Sequence, residues 1–256
     1  MHRRLLGPTL TIVAALVVLA AAIYVIRQND PVEGAGTTPG SSFSPIVAPF
    51  ATPGSASLGR PNINATSDPA ADTTVVAFLG DDYTAGVGAS APNKRFTTLV
   101  AETLHVTEKN FGDDGAGYAK TGADGTTYAG HIDAVVAAHP DVVVVTGGRN
   151  DFNGNTATLA RDADELFADL HERLPSATLI AVAPFWGDSD YPAKLTDMAD
   201  AIKAAVEDAG GIYVALPDPL HDHPDFMADN ADPNDQGYAA IASALAAKLG
   251  PLLPGR

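Results

Sequence analysis

Four short polar clusters interrupt a chain otherwise rich in alanine, valine and glycine: Gly80-Asp81-Asp82 with Gly86, Asn110 with Gly115, Gly148-Arg149-Asn150-Asp151, and the stretch from Asp229 to Tyr238. Carboxylates dominate them, Asp81, Asp82, Asp151, Asp229, Asp232 and Asp235 among them. A carboxylate can attack an acyl carbon, although resolving the acyl-aspartate then needs an activated water. Several together can hold a hard cation such as Ca²⁺ or Mg²⁺. One that opens a helix can instead cap its free amides and favour the positive end of its dipole. Asp82 follows a strand-like run at an expected helix start, so capping is the reading its position supports first. His221 and His223 precede Asp229 and are read as exposed loop histidines, with entry into the site as a substitute base as the alternative.

The elements that must position these residues are legible as alternating patterns. Apolar, β-branched runs fall at Thr74 to Leu79, Val106 to Asn110, Asp141 to Thr146, Thr178 to Ala183 and Ile212 to Ala215, several apolar on both faces as buried parallel strands are. Between them, Leu159, Ala163, Leu166, Phe167, Leu170 and Leu174, and then Leu195, Met198, Ile202 and Val206, recur at helical spacing. A last helix is expected from about Asp235 to Leu249. Such alternation predicts an α/β domain over residues 73–256, with a central parallel sheet of about five strands between helical layers and sites at the carboxyl ends of the strands. All four polar clusters fall at such ends.

Taken together, the clusters resemble the SGNH/GDSL hydrolases (GDSL-like lipases and acylhydrolases). Gly80, Asp81 and Gly86 match the first block, with Asp82 where the family places its serine. Asn110 and Gly115 match the second block and Gly148-x-Asn150-Asp151 the third. The fourth, Asp229-Asn230-Ala231-Asp232-Pro233-Asn234 with Gly237-Tyr238, has Asp232 where the family has histidine. The resemblance implies a three-layer αβα sandwich of flavodoxin-like SGNH type. It also implies an acyl-ester site with oxyanion donors at the Asp82 amide, Gly115 and Asn150, and an orienting acid at Asp229. With the nucleophile and the base both replaced, serine-type turnover is expected to fall by roughly 10⁴- to 10⁶-fold. Three routes stay open: loss of hydrolysis with a retained cleft for an acyl or glycan ligand, hydrolysis through Asp82, a loop histidine or a bound cation, and a purely structural envelope protein. The resemblance would bring Asp82, Asp229 and Asp232 together, where they repel unless one is protonated or a cation is bound. The Asp82 carboxylate could also turn into the oxyanion hole and fill it. Trp186, the only tryptophan, and Tyr118 and Tyr128 are candidates for a pocket rim, with core packing as the other reading. No cofactor is expected.

The front of the chain has a different composition. Arg3 and Arg4 precede a charge-free apolar run from Thr9 to Ile26, closed by Arg27. This reads as residues 1–8 inside the cell and a transmembrane anchor or uncleaved signal at 9–27, with the rest outside the cytoplasm; cleavage would release it. Residues 28–72, dominated by Pro, Gly, Ser, Thr and Ala, read as a flexible linker, with Ile46 to Phe50 an incidental apolar patch. The chain has no cysteine, so no disulfide can support the domain. A net charge of −16 argues against nucleic acid as a partner.

Overall fold

The computed structural model describes residues 73–255. The expected anchor and linker lie outside the described residues, among which no helix is long and apolar enough to cross a membrane. Five strands, β1 (Val75–Gly80), β2 (Thr107–Gly112), β3 (Val142–Val145), β4 (Thr178–Val182) and β5 (Ile212–Val214), form one sheet in the order β2-β1-β3-β4-β5. Every neighbouring pair is parallel. This is the doubly wound arrangement whose crevice opens where the strand order reverses, between β1 and β3.

Alternation along the strands sends side chains to two cores. On one face Ala77, Leu79, Val143 and Val145 meet helices α3 (Ile132–Ala137), α4 (Thr156–Arg173) and α5 (Ala193–Asp208), through residues such as Val135, Phe167 and Met198. On the other, Val76, Phe78, Val142 and Val144 meet α2 (Phe96–Leu104) and α6 (Asp235–Leu249) through Phe96, Val100, Tyr238 and Leu245. Both faces of β3 are buried, which explains its unbroken run of valines. In α4 the buried residues are Leu159, Ala163, Leu166, Phe167 and Leu170, one stripe at helical spacing, and the Asn155 side chain accepts from the Ala157 amide to start the helix.

The turn after β1 is a single short helix, α1 (Asp82–Ala85), ended by Gly86 in the left-handed region with φ 88°. Its cap is Asp81, whose Oδ1 accepts from the Tyr83 amide at 3.1 Å, so Asp82 takes the first helical position rather than the capping role expected of it. The end of β2 lies directly against α1. A Cβ at Gly112 would stand 2.2 Å from the Ala85 nitrogen and 2.5 Å from the Thr84 carbonyl carbon, both backbone atoms. Gly115, three residues on, has φ +74° with open space around it.

These two glycines give a direct contrast. Gly112→Ala is expected to destabilise the fold by about 2–4 kcal/mol through overpacking against backbone, whereas Gly115→Ala should cost only about 1 kcal/mol of backbone strain. Chemical denaturation of both variants measures this, and equal losses would mean that β2 does not abut α1 as described.

Candidate functional site

Four loops meet at the carboxyl ends of β1, β2 and β3 and at the start of α6. The loop before α6 is held onto the segment after β1 by a set of long-range bonds. The Tyr83 hydroxyl donates to the Ala231 carbonyl at 2.9 Å, the Tyr238 hydroxyl donates to the Val87 carbonyl at 2.5 Å, and Asp235 accepts from both the Ser90 amide and its hydroxyl. Asp151 is buried and accepts three amides, from Tyr118, Ala119 and Lys120, at 2.8 to 3.0 Å, which ties the loop after β2 to the turn after β3. Asn110 binds β2 to α1 by donating to the Thr84 carbonyl at 2.8 Å. Asp151 and Asn110 are therefore scaffold residues.

At the centre lies Asp82, 5% exposed. Its Oδ1 accepts from the Asn150 side-chain amide at 2.6 Å and its Oδ2 from Arg149 Nη2 at 2.7 Å. Asn150 also donates to the Ala116 carbonyl at 3.0 Å, one residue beyond Gly115. The carboxylate thus occupies the Asn150 arm expected of an oxyanion hole, while no hydrogen bond joins it to Gly115 among the described residues. Burial works against its charge, but the Asn150 bond and the Arg149 charge prevail and hold its carboxyl below the usual range.

Arg149 is the residue that sequence reading did not single out. Its second guanidinium nitrogen, Nη1, donates to the Ala231 carbonyl at 2.8 Å, and its guanidinium carbon lies 4.7 Å from the centre of the Tyr83 ring. One side chain therefore neutralises Asp82, grips the loop before α6 and stacks on an aromatic ring. A signal for it was available: clustered carboxylates demand a cation, and Arg149 lies beside Asn150 in the same block.

The expected convergence of three carboxylates is corrected. Asp82 and Asp232 both face Arg149, the Asp232 Oδ1 at 4.0 Å from Nη2. Asp229 stands near them but makes no hydrogen bond or ion pair with Asp82 or Arg149 among the described residues. It is exposed and its Oδ1 accepts the Ala231 and Asp232 amides at 2.7 and 2.8 Å, shaping its own loop. Arg149 supplies a positive charge to both carboxylates. Asp232 Oδ1 is buried without a hydrogen-bond donor, and a proton on this carboxyl would let it donate to Asp82 instead of repelling it. Burial, then repulsion from Asp82 and Asp229, raises the Asp232 carboxyl to about 6. Asp81 is pushed well above the usual range by burial and by the charge of Asp82.

The histidines lie elsewhere. His221 pairs with Asp190 at 3.2 Å and Asp222 at 3.3 Å, and His223 stacks on Phe226 with ring centres 4.4 Å apart. Tyr118 and Tyr128 are core residues, both buried and packed edge to face at 5.0 Å. Trp186 is half-buried and does reach a rim. Its ring lies 4.7 Å from that of Phe152, and both line a cleft of about 320 Å³ that also touches Arg149, Asn150 and Asn230.

Two outcomes test this electrostatic arrangement. Because the folded chain binds the Asp232 proton more tightly than the unfolded chain, whose carboxyl titrates near 4, Asp232 lowers stability as pH rises from about 4 to about 6. Asp232→Asn should therefore stabilise the chain by about 1–2 kcal/mol near pH 7.5, after allowance for solvent screening, and leave it unchanged near pH 4. Arg149→Met should destabilise by about 3–5 kcal/mol at neutral pH by leaving Asp82 buried and unpaired, and adding Asp82→Asn should recover much of that loss. Thermal and denaturant unfolding of the four proteins read both effects.

Comparison with known proteins places this geometry. A family model described as GDSL-like Lipase/Acylhydrolase matches residues 78–240, which contain all of the site residues above. A protein named GDSL lipase from Mycobacterium tuberculosis is 28% identical over 193 residues, covering 70% of this chain and 80% of its own. Among solved structures, a carbohydrate acetylesterase from Sinorhizobium meliloti superimposes with a TM-score of 0.56 at 16% identity, over 70% of this chain and all of the other. A family two carbohydrate esterase from Clostridium thermocellum, in complex with cellohexaose, superimposes with a TM-score of 0.55 at 16% identity, over 70% of this chain and 64% of the other. The family model spans more than half of the chain, and the chain belongs to the GDSL-like lipase/acylhydrolase family.

Proposed function

We propose that this chain is a membrane-tethered, extracytoplasmic member of its family in which serine-type ester hydrolysis has been lost and a cleft for an acyl or glycan ligand has been kept. In this reading Asp82 and Asp232 stand at the nucleophile and base positions, Asp229 at the orienting acid, and the Asp82 amide, Gly115 and Asn150 at the oxyanion hole. The observation that carries it is the pairing of Asp82 with Asn150 and Arg149 at 2.6 and 2.7 Å. A carboxylate held this way has both oxygens engaged, and any neutral acyl oxygen would have to displace it from Asn150. Both loop histidines pair elsewhere, so among the described residues no imidazole stands beside Asp82 to activate the water that would resolve an acyl-aspartate.

The ligand class follows from the rim and from the relatives. The Phe152 and Trp186 rings offer an apolar face beside the polar Asn150 and Asn230, a combination suited to a sugar ring or a short acyl chain. The Clostridium thermocellum relative was solved with a cello-oligosaccharide, and the Mycobacterium tuberculosis relative is named a lipase. The apolar run from Thr9 to Ile26 supports the tether.

Hydrolysis of a chromogenic acyl-ester panel by the full-length chain tests the reading, beside Asp82→Ser/Asp232→His with and without Arg149→Ala. The native chain is expected to match buffer. The double reversion should turn over, and faster once Arg149 is removed, because a guanidinium near position 232 opposes formation of an imidazolium. Native turnover abolished by Asp82→Ala would overturn the proposal. Trp186 fluorescence supplies the binding test. Acetylated oligosaccharides should shift its emission in the native chain, and Phe152→Ala should weaken the response about tenfold. No shift with any glycan or acyl probe would contradict a retained cleft.

A further inference from the structure

A second cluster of titratable groups lies in the loop after β2, away from Asp82. Asp113 directly follows β2, Asp124 lies within the turn closed by the Gly125 amide donating to the Gly122 carbonyl, and His131 ends a short 3₁₀ helix, Tyr128–His131. One oxygen of each carboxylate is committed to the loop. Asp113 Oδ1 accepts from the Asp124 amide at 3.2 Å, and Asp124 Oδ1 accepts from the Thr126 amide and hydroxyl at 2.8 and 2.9 Å. The second oxygens both turn to His131. Its Nε2 lies 3.4 Å from Asp124 Oδ2 and 3.9 Å from Asp113 Oδ2, and all three atoms fall within 4.8 Å of one another.

We propose that Asp113, Asp124 and His131 form a binding site for a divalent transition-metal ion of the zinc class. The independent observation is Asp113 Oδ2. The side chain is only 8% exposed, yet this oxygen has no hydrogen-bond donor and points into the cluster. No lysine or arginine pairs with either carboxylate among the described residues, so the two charges face only an imidazole. The Thr126 hydroxyl reaches Nε2 at 3.5 Å, the outer limit of a hydrogen bond, and does not secure it. Ligand bonds of about 2.0–2.1 Å in a tetrahedron set ligand atoms about 3.4 Å apart; one of the two edges to His131 meets this and the other exceeds it by half an ångström, and the edge between the carboxylates lies within 4.8 Å. One nitrogen and two oxygens suit zinc better than calcium, which favours oxygen alone. Gly122 makes the approach possible, because a Cβ there would stand 2.1 Å from Asp113 Oδ2. An ion at this site would clamp together the two ends of the loop that carries Gly115.

The test is zinc binding by the untagged full-length chain after chelator treatment, measured by competition with a chromophoric chelator and by the shift in melting temperature. One ion per chain at micromolar or tighter affinity is expected. Asp113→Asn and His131→Gln should each weaken it about tenfold or more, while His221→Gln, which removes the exposed Asp190–His221–Asp222 group, should leave it unchanged. Asp124→Asn, at an exposed side chain, should weaken binding likewise and keeps the test valid if Asp113→Asn or His131→Gln fails to fold. The competing account is a proton shared by the two carboxylates. It predicts no zinc binding and a metal-free chain stabilised by Asp113→Asn, and that pair of results would overturn the proposal, as would binding insensitive to the site variants.

Discussion

The ion pair between Asp82 and Arg149 is the interaction on which the site depends. A buried carboxylate without a partner would carry a desolvation penalty of several kcal/mol, so Asp82 at the head of α1 requires a cation within reach. Arg149 meets that need from the turn after β3, on the strand next to β1 in the sheet. In doing so it also holds the Ala231 carbonyl and covers Tyr83. One guanidinium thus fixes the relative positions of three loops, and the charge state of Asp232 is set by what remains. Arg149 neutralises Asp82 at hydrogen-bond distance but reaches Asp232 only at 4.0 Å, which leaves one carboxyl ionised and its neighbour raised toward neutrality.

This network rests on the close contact of the strand ends. Parallel strands in the order β2-β1-β3 deliver three loops to one crevice, and glycines allow the backbones to touch there. A Cβ at Gly80 would lie 2.2 Å from the Thr84 hydroxyl and 2.6 Å from the Thr146 carbonyl, and Gly112 meets α1 as closely. At the centre of this crevice the Asp82 carboxylate is held by Asn150 and Arg149.

Much of the fold was legible because it follows local periodicity. The five β-branched runs fall within one or two residues of the observed strands, and α6 has the expected ends at Asp235 and Leu249. Burial on both faces of β3 was readable from its valines. Interactions between distant segments were less accessible. The capping role belongs to Asp81 because the chain turns one residue earlier than the helix signal suggested. Asp229 seemed placed to meet Asp82, but its carboxylate satisfies two amides of its own turn, a local option that aspartate often takes. Arg149 lies inside a legible block, beside Asn150, but its role is not set by that position. Only the need for a counter-charge sets it, and that need is visible once Asp82 and Asp232 are placed in one site. The Asp113–Asp124–His131 cluster was hidden for a similar reason, since its members come together only when the loop after β2 closes on itself.

The most direct test of the central claim is a carboxyl ¹³C NMR titration of the full-length chain with Asp82 and Asp232 assigned by substitution. The account predicts that Asp82 stays ionised below the usual aspartate range, that Asp232 titrates near 6, and that Arg149→Met moves Asp82 upward. An Asp82 that titrates like an ordinary aspartate and ignores the loss of Arg149 would show that the ion pair does not govern the site.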